Sequence, residues 1–228
     1  MSCHPPLIVT RADPGGSATV ERAKAMGLDA RFMPLFEARP LQWDVPDAAD
    51  FDALLMTSAQ AARLAGPDLA RIASLPVHAV GAATAAAAAA AGLRVVATGT
   101  RDAQSLIDAM ASQKIQRILW ICGRDRSDFD ARAARLVPLP VYAIDAAPRP
   151  SGWSEAVAAP AVLLAHSMRG AARIADLVGA ARSHLSLVAI SRAVAAAAGE
   201  GWGQIAVAAQ PDDASMLAAA HILCQKAE

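Results

Sequence analysis

Apolar runs of four to seven residues recur near positions 7–10, 30–36, 53–57, 77–80, 93–97, 117–121, 139–144, 161–165, 186–190 and 204–208. Most are followed by a stretch of helical spacing. Strands that are apolar nearly throughout suit sheets covered on both faces, and strands alternating with helices of about ten residues build βαβ units. The pattern predicts an α/β fold with parallel sheets. Helix starts are expected at Asp13-Pro14, at Asp102 before a helix over 103–111, at Ser127-Asp128, and at Pro211-Asp212-Asp213 before the last helix. Gly27, Gly92 and Gly179 are placed to close helices.

One phrase occurs twice. Phe51 to Ala59 is an apolar strand running into a Ser-led turn, and Val77 to Ala85 is a second strand opening an Ala-rich helix that closes at Gly92. Ala161 to Ser167 and Leu187 to Val194 repeat the order, with the later Ala-rich run reaching Gly199 and Gly201. Ser58 and Gly81 are 23 positions apart and Ser167 and Ser191 are 24 apart. Such spacing predicts two lobes with facing strand-to-helix turns. The Ala83–Ala91 helix reads as a close-packed scaffold, because Ala favours helix and permits tight approach to a sheet.

Two segments break the alternation. Met33 to Trp43 and Pro138 to Pro150 are extended and carry Pro34, Pro40, Pro138, Pro140, Pro148 and Pro150. If both are crossings between lobes, residues 1–36 with 147–228 form a discontinuous first α/β domain and 44–137 a second. Residues 37–43 and 138–146 are then the crossings.

The 228 residues are 55% apolar and formally neutral, enough for buried cores. Zero net charge, one Tyr and four Phe argue against a nucleic-acid surface, which needs a basic field or stacking platforms. Of the 21 cations only Lys24, Lys114 and Lys226 are Lys. Arg suits fixed recognition of carboxylate or phosphate, although a GC-rich genome gives the same bias. No apolar stretch suits a membrane span, and the start Met1-Ser2-Cys3-His4-Pro5-Pro6 lacks the pattern of a signal peptide, so a cytoplasmic location is expected. Cys3, Cys122 and Cys224 are odd in number and far apart, which predicts ordinary reduced thiols. His4, His78, His166, His184 and His221 lack ligand spacing, so no metal is expected.

The sequence contains no GxGxxG after a strand, no GxxxxGK[ST], no GxSxG and no HExxH. His166 and Ser167 are adjacent at a strand end, point different ways, and so do not pair as base and nucleophile. What remains is a set of turns at strand carboxyl ends: Thr10-Arg11, Thr57-Ser58, Gly81 to Thr84, Gly123-Arg124, Ser167-Met168 and Ser191-Arg192. In open parallel sheets this edge binds ligands, and each turn offers N–H groups that suit anionic oxygens. Any one Ser or Thr also reads simply as a helix cap. Their repetition in both halves favours a ligand cleft.

At these turns the chain resembles the uroporphyrinogen-III synthase family over essentially its whole length. The matching pieces are Val9-Thr10-Arg11, Phe51-Asp52 to Thr57-Ser58-Ala59, Ala79 to Ala85 with Gly92, Cys122-Gly123-Arg124, Val141-Tyr142, Ser167, Ala189-Ile190 and Pro211. The resemblance implies two Rossmann-like or flavodoxin-like parallel-sheet lobes joined by a two-stranded linker. It implies a cofactor-free, cyclising hydro-lyase acting on hydroxymethylbilane, a linear tetrapyrrole with an acetate and a propionate on each ring. Loss of the hydroxyl gives an azafulvene, a substituted carbon of the last ring attacks to form a spiro intermediate, and that ring reattaches inverted. The enzyme then works by holding one folded conformation of the bilane.

By the same resemblance Tyr142 aligns with the family's linker Tyr and donates a hydrogen bond to the departing hydroxyl. Its other reading is a linker core residue with a wet tip. Substrate binding falls to Thr10, Arg11, Ser58, Gly81, Ala82, Thr84, Gly123, Arg124, Ser167, Met168, Ser191 and Arg192. The expected state is a monomer that receives its bilane from hydroxymethylbilane synthase, with no nucleic acid or membrane as partner. Two departures stand out. Ser191-Arg192-Ala193-Val194-Ala195 lacks the Thr of the family's Gly-Pro-x-Thr-Ala, and Ala165-His166-Ser167 keeps only the last Ser of Ser-Pro-Ser. They favour, as the alternative, a non-catalytic bilobed module that binds a tetrapyrrole or another polyanion. A nucleotide-dependent transferase or oxidoreductase is disfavoured by the missing Gly-rich phosphate turn.

Overall fold

The structure, a computed structural model, describes residues 4–100 and 102–225. Cys3 and Lys226 lie outside the described residues. The chain divides into two compact units: unit 1 is formed by the described residues up to Glu37 together with those from Ala146, and unit 2 is Ala38–Asp145.

In unit 1, strands β1 (Leu7–Val9), β2 (Ala30–Phe32), β9 (Val162–Ala165), β10 (Ser186–Ala189) and β11 (Gln204–Val207) form a parallel sheet in the order β11-β10-β9-β1-β2. Successive strand residues point to opposite faces, so each strand feeds two cores. Ile8, Leu163 and Leu187 pack with Ile174 of α6 (Met168–Val178), Val194 of α7 (Arg192–Ala197) and Trp153 of α5 (Trp153–Ala156). Leu7, Val9, Leu164 and Val188 pack on the other face with Val20 of α1 (Gly15–Ala25) and with Met216 and Leu217 of α8 (Asp213–Gln225).

In unit 2, β3 (Phe36–Pro40), β4 (Ala53–Met56), β5 (Val77–Val80), β6 (Val95–Gly99), β7 (Arg117–Gly123) and β8 (Arg135–Ala146) lie in the order β3-β8-β7-β4-β5-β6. The pairings from β8 through β6 are parallel. Leu54, Met56, Leu119 and Ile121 pack with Ala61 and Ala62 of α2 (Ala59–Leu64) and Ala88 of α3 (Ala82–Ala90). Leu55, Ile118 and Trp120 pack with Leu106, Ile107 and Met110 of α4 (Ala103–Ser112). The small Ala side chains shared by α2 and α3 in one core fit the expected close packing.

The duplication is visible in burial as well as in sequence. Leu75–Ala90 and Leu185–Glu200, 110 positions apart, run through the same order of buried, half-buried and exposed residues. Asp102 caps α4 by accepting from Ser105 N at 2.7 Å, and Asp212 accepts from Ser215 N at 2.7 Å at the start of α8.

Two expectations need correction. The apolar run 30–36 is two strands, β2 and β3, with a break between them. The segment after Ser127-Asp128 forms no helix, and its backbone at Asp130 is tied to α4. Asp130 N donates to Gln104 Oε1 at 3.0 Å, Gln104 Nε2 donates to Asp130 O at 2.8 Å, and Phe129 packs on Trp120. Pro138 and Pro140 lie within β8, opposite Trp120 and Cys122 of β7. Two residues apart, they lose N–H groups on the same side of the strand, and the β7 ladder survives because that side faces away from it.

Candidate functional site

In unit 2 the predicted residues Ser58, Gly81, Ala82, Thr84, Gly123 and Arg124 collect at the carboxyl edge of one sheet, after β4, β5 and β7. Ser58 caps α2, its Oγ accepting from Gln60 N at 3.2 Å. Gly81 adopts φ +81, a conformation costly for residues with a Cβ, and offers α3 no side-chain cap. The first N–H groups of α3, at Ala82 and Ala83, therefore have no side-chain cap. Thr84 is buried beneath them.

Gly123 ends β7 at a register shift: Cys122 pairs with Pro140 but Gly123 with Tyr142, so Val141 is skipped. Such a bulge re-aims the next side chain. Tyr142 swings against Gly123, where a Cβ would stand 2.9 Å from its Cζ. The phenol belongs to the core that holds Leu119 and Ile121, and its hydroxyl makes no hydrogen bond with the described residues. Arg124 is exposed and engaged: it donates to Asp145 Oδ1 at 2.5 Å and lies 3.5 Å from Asp125, while Asp145 also accepts from Arg39. Hydrogen bonds from Arg124 and Arg39 hold the Asp145 carboxyl below its usual range.

In unit 1, Thr10, Arg11, Ser167, Met168, Ser191 and Arg192 share the carboxyl edge of the other sheet. Thr10 gives its one hydroxyl proton to Leu164 O at 3.0 Å, tying β1 to β9 and leaving only lone pairs free. Ser167 accepts from Gly170 N at 3.0 Å and Ser191 from Val194 N at 3.3 Å, both as helix caps. Met168 is 60% exposed, and Arg192 projects into solvent. Val194 occupies in this turn the place Thr84 has in the other, equally buried, so the hydroxyl is lost while the packing is kept.

Behind these turns lies a charged cluster centred on Asp213. Its Oδ2 accepts from Arg22 Nε at 2.8 Å and Nη2 at 2.6 Å. Its Oδ1 accepts from Thr19 Oγ1 at 2.7 Å and His166 Nε2 at 3.2 Å, with Arg11 Nη1 at 3.6 Å. A carboxylate only accepts, so the His166 proton sits on Nε2, and its buried Nδ1 has no partner among the described residues. Burial first, then the Arg11 charge, push the His166 pKa down to about 4, against the opposing pull of Asp213. Burial pushes Asp213 up, but the bonds from Thr19, Arg22 and His166 prevail and hold it below its usual range.

A family model described as uroporphyrinogen-III synthase HemD matches residues 17–218. The chain belongs to the uroporphyrinogen-III synthase family. That family is a cyclising lyase of tetrapyrrole biosynthesis. The chain is also similar to the crystal structure of uroporphyrinogen-III synthetase from Helicobacter pylori, with TM-score 0.65 and 16% identity, covering 96% of this chain and 99% of that one. A mutant uroporphyrinogen III synthase from Thermus thermophilus aligns over 97% of this chain and 99% of its own, with TM-score 0.48 and 16% identity. No curated protein matches the chain. The first likeness shows the fold: α/β with two sheets.

Sequence reasoning passed over His166, Asp213, Thr19 and Arg22 as a group. It weighed His166 as a metal ligand and against its neighbour Ser167, never against Asp213; His166 and Ser167 do point apart, one to Asp213 and the other to Gly170. The available signal was topological: in a parallel sheet a residue just past β9 and one opening the helix after β11 reach the same edge. Among the described residues no group of three or more His, Cys, Asp or Glu could hold a metal, and no helix is long and apolar enough to cross a membrane.

Proposed function

We propose that this chain closes hydroxymethylbilane to uroporphyrinogen III, inverting the terminal ring and releasing water, with turns at the carboxyl edges of the sheets taking the acidic arms. The observation that carries the activity is the family match over residues 17–218. The open N–H groups of Ala82 and Ala83, the capped turns at Ser58, Ser167 and Ser191, and the Arg11, Arg124 and Arg192 guanidiniums support the assignment of binding. Oxygen anions are met there by backbone dipoles and delocalised cations, and no strong base is needed. Val194 leaves the second turn to bind through its backbone.

Tyr142 is proposed as the donor to the departing hydroxyl. Its support is a phenol O–H with no bond to the described residues, at the end of β7 where Gly123 gives it room. Tyr142→Phe removes no partner, so stability should stay within about 0.5 kcal/mol, whereas type III formation should slow by about 10²–10⁴-fold. Unchanged turnover removes the role.

We further read residues 37–43 and 138–146 as a two-stranded linker between a discontinuous domain, 1–36 with 147–228, and a second domain, 44–137. Supporting it, β3 lies next to β8, Leu41 N donates to Val141 O at 2.9 Å, and Ala147 N donates to Leu35 O at 2.9 Å. The protein is taken as a cytoplasmic monomer supplied by hydroxymethylbilane synthase. The free thiols of Cys122 and Cys224 suit a reducing compartment. The test couples purified protein to a source of hydroxymethylbilane and identifies the porphyrinogen isomer. Type III is expected; type I alone, the product of unassisted closure, refutes catalysis, and tight binding alongside it would mark a sensor.

A further inference from the structure

We infer that Asp213 is a positioning residue, holding the Arg11 guanidinium flat over the first turn of α1 in the pose that takes a substrate carboxylate; the inference rests on the binding role proposed for Arg11. The pose is set first by glycine. A Cβ on Gly15 would lie 2.6 Å from Arg11 Nη2 and 2.7 Å from both Cζ and Nε, so the plane of the guanidinium covers that Cα. Any larger residue at Gly15 would lift the side chain away.

The second element is how Asp213 spends its oxygens. Arg22 occupies Oδ2 through two nitrogens, and Thr19 with His166 occupies Oδ1. Arg11 remains at 3.6 Å, near enough to be steered by the charge and too far to give up an N–H to it. No hydrogen bond uses the Arg11 donors among the described residues. The carboxylate therefore fixes the cation without consuming its donors, and those donors stay available.

The charge balance points the same way. Arg11 and Arg22 carry two positive charges against the one negative charge of Asp213, and His166 stays neutral above its lowered pKa. The N-terminus of the 11-residue α1 adds positive potential beside the Arg11 guanidinium, offset in part by the Asp13 carboxylate, whose Oδ1 accepts from Ser17 N at 2.8 Å. Two like potentials brought together at 38% side-chain exposure are stabilised by an incoming anion. The carboxylates of the acidic substrate are such anions. A purely structural Asp213, tying α8 to α1 through Thr19 and Arg22, would need neither the Gly15 contact nor an unspent Arg11.

The test uses Asp213→Asn, which keeps shape and loses charge, and Arg11→Ala, alone and together, in the full-length protein. With hydroxymethylbilane as substrate, each single change should raise KM by about tenfold with kcat little altered, and the double variant should be no worse than Arg11→Ala, because both act through one guanidinium. Asp213→Glu should restore part of the loss. An NMR titration gives a readout independent of activity: Arg11→Ala should raise the His166 pKa, and Asp213→Asn should not. If Asp213→Asn folds poorly, Gly15→Ala carries the test, with the same rise in KM. A wild-type KM in either folded variant, additive losses in the double variant, or a His166 titration indifferent to Arg11 overturns the inference. Wild-type protein that forms no type III isomer overturns the activity itself, a failure distinct from these.

Discussion

Gly123→Ala is the sharpest probe of how the Tyr142 phenol is held. A Cβ at this position would stand 2.9 Å from Tyr142 Cζ, 3.1 Å from its hydroxyl oxygen and 3.2 Å from Cε2. Carbon contacts settle near 3.5–4.0 Å, so the ring must retreat by about 0.6–1 Å. A lysine tip would swing aside at little cost. This ring is rigid, only 8% exposed, and packed in one core with Leu119, Ile121 and Val141. Overpacking of that kind costs about 1–3 kcal/mol, and replacing a strand Gly returns about 0.5–1 kcal/mol of backbone entropy. The expected net loss is up to about 2.5 kcal/mol, read as a lower urea midpoint with unchanged slope. The displaced hydroxyl should also slow type III formation, and adding Gly123→Ala to Tyr142→Phe should slow it little further, since the same donor is already gone. A midpoint and a rate both equal to wild type would refute the reasoning, because they would mean that the ring has space the geometry denies it.

Gly16→Ala should be more damaging than Gly123→Ala, since its Cβ would lie 2.2 Å from Phe32 Cε2 and 2.5 Å from the Arg11 carbonyl oxygen, which cannot swing away; a urea midpoint at or above that of wild type would contradict this. Between its ordinary value of 6.5 and about 4, His166 takes a proton in the unfolded chain but not in the folded one, so stability falls as pH drops through that window. His166→Gln should flatten the fall relative to wild type, and parallel denaturation curves of the two proteins at pH 7 and pH 4.5 would show otherwise. Burial pushes the Cys122 and Cys224 thiols up to about 11. Both should resist iodoacetamide at pH 8 until the chain unfolds, as peptide mass spectrometry can follow, and rapid labelling of either in folded protein would argue against its burial.

The α/β class was legible because parallel strands buried on both faces are apolar along their whole length, as Ala53–Met56 and Val162–Ala165 are. Helix boundaries were legible where a capping side chain writes them, as at Asp102, Ser167 and Asp212. Strand β3 was legible only as an extended, proline-bearing segment within Met33 to Trp43, since Phe36–Pro40 is largely exposed and gives no alternation to read. The missing helix after Ser127-Asp128 shows the opposite failure: a sound local cap signal overridden by the distant Gln104. The Asp213 cluster brings Thr19 to a residue 194 positions away, and no local spacing announces such a meeting. Nor does composition reveal the skipped pairing at Val141 that turns Tyr142 toward Gly123.

Leu75–Ala90 and Leu185–Glu200 keep one burial order but not one chemistry: Gly81 stands at φ +81 where Ser191 stands at φ -156, and Thr84 answers to Val194. A symmetric dimer of a half-length ancestor would have to change both rims with every mutation. Carrying both copies on one polypeptide frees each from its twin, so the two turns can part in chemistry while keeping one packing.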